Sequence, residues 1–261
     1  MPSPFGRTGL LLFLSASLIA FIPAASAREA LRTSLLHTEP WGYYAPPSET
    51  SPKGQPSVPS GIMVEIADTV SRESGLPLAP RLKAYGRMWR EVKAGETDLV
   101  FAIRSPERDA YVRYAGHLFD FSAIVIARPG TPLTTYDDLR PLRIGVLSDI
   151  HLHQRFDSDT QLRKVEVRDY ETMVDMLLAG RLDAVAGNSV SLTYLLHKRR
   201  QPLTAWPRMV LQKLEVWAQV SLRSPHLGDS AKIAETVERL RAKGYFETLL
   251  TRYAGSAWRV E

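Results

Sequence analysis

Short apolar runs alternate with helical stripes along the chain, the pattern of an α/β protein built on mostly parallel sheets. Leu31 to Leu36 predicts a first strand. Met63, Ile66, Ala67 and Val70 recur on one helical face that Gly75 closes, and Trp89 and Val92 belong to a shorter helix ended by Gly95. Asp98 to Ile103 predicts a buried strand and Ser122 to Arg128 another, after which Pro129-Gly130 turns the chain. The same logic then restarts. Thr135 to Asp138 has capping-box spacing, Arg143 to Leu147 and Val165 to Val167 predict strands, and Tyr170, Met173, Val174, Leu177 and Leu178 form a stripe stopped by Gly180. Asp183 to Ala186 predicts the next strand, Leu214 to Leu222 a longer one, and Ser230 to Lys243 and Tyr245 to Tyr253 two closing helices. No internal repeat is evident. Between the first strand and the first helix, Pro46 to Pro59 carries five prolines and little that is apolar, which predicts an exposed loop.

The stretch from Gly95 to Phe121 says most about function. Arg104-Ser105-Pro106-Glu107-Arg108 breaks an apolar strand with charge and a proline, so the sheet ends there. Ligands of open α/β sheets bind at the carboxyl ends of strands, which places Arg104 and Arg108 to meet an anionic group. The alternative is that both are solvated or pair with Glu107 and Asp109.

The order of these pieces is a small residue and an Asp, an apolar strand, Ser-Pro-Glu-Arg, then an aromatic-rich segment, with GIMVEIADTVSRESG before it and DDLRPLRIGV after it. It resembles the family 3 extracellular solute-binding proteins, the receptors of polar amino-acid ABC importers. The resemblance runs from about Leu35 to Tyr253. It implies a type II periplasmic-binding-protein-like fold of two lobes, each a mostly parallel sheet flanked by helices, joined by crossovers near Ser122 to Arg128 and Leu214 to Leu222. On that scheme residues 28–124 and 219–261 form lobe 1 and residues 125–218 form lobe 2, and the molecule works by hinge closure.

The resemblance also implies a site. Arg108 matches the family's carboxylate-holding arginine. Ile103 stands where a Ser or Thr is usual. The turn of the second lobe that usually offers a hydroxyl reads Ser148-Asp149-Ile150-His151; Ser148 can substitute, whereas Asp149 would repel an anion and suits a helix N-cap better. Asn188 matches the aspartate that usually meets the ligand's ammonium, and an amide supplies no charge. It either meets the ligand or caps the next helix with Ser189 and Ser191. Glu39 ends the first strand and is placed to supply the missing negative charge. Trp41, Tyr43 and Tyr44 are candidate walls of the site, or core and hinge packing.

Composition narrows the remaining classes. Arg7, the apolar run Leu10 to Ile22 and Ala25-Ser26-Ala27 predict a cleaved signal peptide over residues 1–27, and hence a periplasmic protein beginning at Arg28. The apolar run is too short for a good membrane span, and the chain has no cysteine for disulfides, thiol chemistry or a lipid anchor. Without Arg7 the formal net charge falls from +5 to +4, spread among nearly as many acids, which does not suggest nucleic-acid binding. His151 and His153 are the one close pair among six histidines, and their spacing points the rings apart on a helix, so no metal or other cofactor is expected. The expectation is therefore a monomeric, non-enzymatic solute-binding protein that presents a small carboxylate-bearing solute to an inner-membrane ABC permease. The rivals are a dehydratase of cyclic acids on the same scaffold, with Glu39 or Asp149 as general acid, and a ligand-sensing module without transport.

Overall fold

The structure is a computed structural model that describes residues 28–46, 57–148 and 150–260. The expected signal peptide, most of the proline-rich loop and Asp149 lie outside the described residues. In chain order the elements are β1 (Leu31–Leu36), β2 (Tyr43–Ala45), β3 (Val58–Ser60), α1 (Ile62–Ser74), β4 (Leu78–Lys83), α2 (Tyr85–Ala94), β5 (Leu99–Ile103), β6 (Val112–Ala127), β7 (Arg143–Leu147), α3 (Gln154–Ser158), β8 (Arg163–Val167), α4 (Tyr170–Leu178), β9 (Ala184–Asn188), α5 (Ser189–Lys198), β10 (Arg208–Ser221), α6 (Ser230–Ala242) and α7 (Tyr245–Ala254).

Eight strands join in the order β4-β1-β5-β10-β6-β9-β7-β8. Pairing is parallel at both flanks and antiparallel in the middle, where β10 lies between β5 and β6, and β6 pairs with β9. The middle pair is the junction of the two lobes. The sequence shows only the second half of each junction strand as apolar, so β6 begins ten residues earlier than Ser122 and β10 six residues earlier than Leu214. Their polar ends run along the lobe edges, where alternation is interrupted by irregularities in register around Val210, Val216 and Trp217. Part of the proline-rich segment is also ordered, since Val58 to Ser60 pairs with Tyr43 to Ala45.

Each lobe has apolar clusters on both sheet faces. In the first, α1, α6 and α7 pack Ile66, Val237 and Phe246 onto Leu31, Phe101 and Val220, while α2 covers the opposite face through Met88 and Val92. In the second, α4 and α5 pack Met173, Leu177 and Leu192 on one face and Phe156 of α3 closes the other. Helix α5 reaches both lobes, because Val190 enters the first core and Leu192, Leu195 and Leu196 enter the second.

One local arrangement recurs in both lobes although the sequence shows no internal repeat. At the start of β1, Arg32 gives its backbone N–H and Nε to one oxygen of Asp98 (2.8 and 2.9 Å), and Nη2 to the other oxygen (2.7 Å) and to the Gly95 carbonyl (2.8 Å). At the start of β7, Arg143 makes the same four bonds to Asp183 and Gly180 at 2.9 to 3.0 Å. Both glycines end a helical segment in left-handed geometry, at φ 81 and 72, which Gly adopts without a Cβ penalty. The shared pattern is only Ala-Gly-x-x-Asp, which is too sparse to detect without the arginine that each fork uses.

The Arg143 guanidinium holds the Asp183 carboxyl down at about 2, and Arg32 and Ser224 hold Asp98 below its usual range against the upward push of burial. A depressed folded pKa gives stability that is present above the unfolded value of about 3.9 and lost as pH falls toward 2. Asp183→Asn should therefore lower the urea midpoint at pH 7, and the gap from wild type should close between about pH 4 and pH 2. A gap independent of pH over that range would contradict the fork's role.

Candidate ligand-binding site

Strands β1 and β5 are parallel neighbours and end on the same side of the first lobe, and Arg108 follows β5 on the short turn Pro106–Arg108, reaching α2 through Tyr85 and Trp89. Its guanidinium folds back over α2. Nη1 donates to the Ile103 carbonyl, Nη2 donates to the Tyr85 hydroxyl at 2.5 Å, and the charge rests 3.7 Å from the centre of the Trp89 ring. Arg108 is 9% exposed, and no carboxylate of the described residues lies within ion-pair distance of it. Asp98, the other charged side chain in the buried set, has Arg32. Burying an ion without a counter-charge costs several kcal/mol even after relaxation, and a carbonyl, a phenol and an aromatic face offset only part of that. Arg108 also keeps donors in reserve, because a guanidinium has five N–H groups and the two partners here take one each. The arrangement holds a cation ready for an oxyanion.

Sequence reasoning missed Tyr85 and gave Trp89 only a helical role. Their i, i+4 spacing puts both on one face of α2, edge to face at 6.3 Å, and that was the available signal. Tyr85 is 42% exposed at the first position of the helix, with its hydroxyl toward Arg108. It thus offers a ring to anything that reaches the guanidinium.

The other candidates are placed as follows. Ile103 contributes its carbonyl, which also accepts from Gln219 Nε2 at 3.2 Å, while its side chain packs on the first core. Arg104 is exposed and lies across two other rings, Tyr114 at 4.9 Å and Trp217 at 5.4 Å. Neither arginine pairs with Glu107 or Asp109. Trp41 is buried between Phe119 and Phe121 and donates Nε1 to Ser191 Oγ at 2.9 Å, so its role is packing at the junction of the lobes. Tyr43 is half-buried on β2, and Tyr44 is half-exposed with its ring against His37 at 5.5 Å.

Glu39 is not an open charge. Its carboxylate accepts from Tyr194 Oη at 2.5 Å and from Lys198 Nζ at 2.9 and 3.0 Å, both on α5. Burial pushes the Glu39 carboxyl up, and the Tyr194 hydroxyl and Lys198 ammonium outweigh it, holding the group below its usual range. Asn188 caps α5. Its Oδ1 accepts from Ser191 N–H at 2.7 Å, and its Nδ2 donates to the buried Tyr170 hydroxyl at 3.1 Å. The close fit extends to Gly187, where a Cβ would fall 2.4 Å from the Tyr170 ring.

On the second lobe, Ser148 is exposed at the end of β7, with Oγ 3.4 Å from Glu166. The loop that follows is held by Asp157, whose carboxylate accepts the N–H groups of Leu152 and His153 at 3.1 to 3.2 Å. A cavity of about 520 Å³ opens beside it, lined by His151, His153, Gln154 and Gln212 among others. Arg108 and Tyr85 do not line it, so this cavity and the arginine are separate features of the structure.

No family model matches the chain. The probable amino-acid-binding protein YxeM of Bacillus subtilis (strain 168) is 21% identical over 206 residues, 74% of this chain and 75% of that protein. Among solved structures, the second substrate-binding domain of a putative amino acid ABC transporter from Streptococcus pneumoniae matches with a TM-score of 0.64 at 17% identity, over 87% of this chain and all of that one. A mutant of ArgBP from T. maritima matches with 0.64 at 17% identity, over 86% and 94%. A histidine kinase sensor domain with similarity to periplasmic binding proteins matches with 0.64 at 18% identity, over 87% and 96%. At such identities the likeness is one of fold. The chain has the two-lobed fold of the type II periplasmic binding proteins, as the resemblance in its sequence implies. The relatives named here are binding proteins and domains.

Loss of the Asn188 cap should cost about 0.5 to 2 kcal/mol, so Asn188→Ala should lower stability measurably in a urea titration, while Asn188→Asp keeps the cap and should stay close to wild type. Equal stability of wild type and Asn188→Ala would show that the cap contributes nothing.

Proposed function

We propose that this chain is a periplasmic solute-binding protein that encloses a small carboxylate-bearing solute between its lobes and presents it to an ABC permease. The observation that carries this reading is Arg108, a buried cation without a carboxylate partner among the described residues, seated at the strand ends where such folds bind ligands. Closure of the lobes would exclude water and strengthen each contact to the guanidinium. In this reading residues 28–124 and 219–261 form the lobe that carries Arg108, residues 125–218 form the lobe that closes on it, and residues 1–27 direct export and are then cleaved. Ser148 and Tyr44 are the exposed candidates from the two sides, with Tyr85 as the added ring.

A sensing role is the second reading, favoured by the likeness to a kinase sensor domain. It uses the same pocket and differs only in the partner that reads the closed form. The dehydratase reading is weakened by Glu39, because a carboxyl held below its usual range by Tyr194 and Lys198 is ionised at neutral pH and has no proton to give.

The test is Arg108→Met. The substitution should remove roughly 2 to 5 kcal/mol of binding, read by calorimetry with whichever solute a thermal-shift screen of amino acids and organic acids identifies. In the unliganded protein it should leave stability unchanged or raise it, since it replaces an unpaired buried ion with an apolar side chain of similar length. Unchanged affinity in the variant would overturn the placement of the site.

A further inference from the structure

Gln219 is a fully buried amide on β10, paired in register with Val100 of β5 and Tyr114 of β6. The register between β10 and β6 shifts between Trp217 and Gln219, the kind of irregularity that re-aims a side chain. Here the amide is aimed at the end of β5. Its Nε2 donates to the Ala102 carbonyl at 2.8 Å and to the Ile103 carbonyl at 3.2 Å, and the second of these oxygens is the one that accepts from Nη1 of Arg108. The two side chains therefore meet on one atom. Turning the amide over would set its oxygen against both carbonyls, so these bonds fix its orientation. Oε1 of Gln219 is then left buried with no hydrogen-bond partner among the described residues, while the Arg108 guanidinium keeps N–H groups in reserve. A buried acceptor without a donor carries an uncompensated desolvation cost.

We infer that Gln219 is a positioning residue of the anion site: Nε2 holds the Ile103 carbonyl, and Oε1 takes an N–H of Arg108 when an anion draws the guanidinium off that carbonyl. The inference rests on the reading of Arg108 as the anchor and adds the residue that steadies it. A carbonyl that lost its only side-chain donor on binding would be left unbonded there, and Gln219 removes that penalty because it already donates to Ile103. The guanidinium has only to pass from one acceptor to the next. Because Gln219 stands on a strand that runs through both lobes, the same contact ties the anchor to the junction. The other charged or titratable groups on the elements packed here are Tyr114 and His117 of β6, Arg104 with its guanidinium over the Tyr114 ring, Glu215 of β10, Tyr85 of α2 and Tyr111 beside it. None of them is bonded to the Gln219 side chain.

Gln219→Glu tests the contact without a ligand, with the urea stability of the mature protein followed from about pH 4 to pH 7. A carboxyl that reaches the Arg108 guanidinium has its folded pKa lowered, so stability relative to wild type should rise with pH. In the Arg108→Met background the same carboxyl is buried without that partner and its folded pKa is raised, so stability relative to Arg108→Met should fall with pH. Opposite slopes are the expected result. Slopes of the same sign in the two backgrounds, no dependence on pH, or failure of Gln219→Glu to fold with Arg108 present overturns the inference; a rise in both would assign the contact to Arg104. The second measurement is calorimetry with the standard amino acids, lactate and succinate, in which Gln219→Met should weaken the binding that wild type shows by about tenfold. Unchanged affinity in Gln219→Met, with binding abolished in Arg108→Met, overturns the inference and leaves the anchor reading standing. Binding that survives Arg108→Met, or no binding by any of these solutes, overturns that reading and the inference with it.

Discussion

The structure depends most on one buried guanidinium, Arg108, which has no carboxylate within ion-pair distance among the described residues. Arg108 leaves water for one carbonyl, one phenol and the face of Trp89, and those partners leave donors open. An anion that completes the set gains from a charge already desolvated and oriented, so little further ordering is needed on binding. The surrounding features follow from holding that cation still. Pro106 begins the turn that carries it, the carbonyl that anchors it ends β5, and the aromatic pair under it is one helical turn apart on α2.

The junction between the lobes is more than two strands. β6 and β10 run through both lobes, and α5 adds a third connection: Val190 lies in the first core, Leu192 in the second, and Ser191 and Lys198 bond to Trp41 and Glu39. Motion of one lobe against the other must leave these contacts intact or exchange them. Trp41 and Glu39, both candidate ligand residues by position, are thus bonded to α5 in this structure.

The parts of this account that were legible in the sequence are those governed by local rules. The strand from Leu99, the left-handed glycines after α1 and α2, the capping box at Thr135 and the arginine after Ser-Pro-Glu all follow from spacing over a few residues. What was hidden depends on distant partners. Glu39 looks like an available charge until Lys198, 159 residues away, is brought beside it by α5. Asn188 looked evenly divided between cap and ligand, and the structure gives it the cap. The polar halves of β6 and β10 carry no strand periodicity because the two faces of a crossover meet different surroundings. The Arg–Asp forks repeat in space with too few shared residues to repeat in sequence.

The most direct test of the central claim is a crystal structure with the solute that a binding screen identifies. The account predicts an oxygen of the ligand's carboxylate at about 2.7 to 2.9 Å from the guanidinium of Arg108, with the ligand against Tyr85. A ligand seated in the cavity beside His151 and His153, with Arg108 still bonded only to Ile103 and Tyr85, would contradict it.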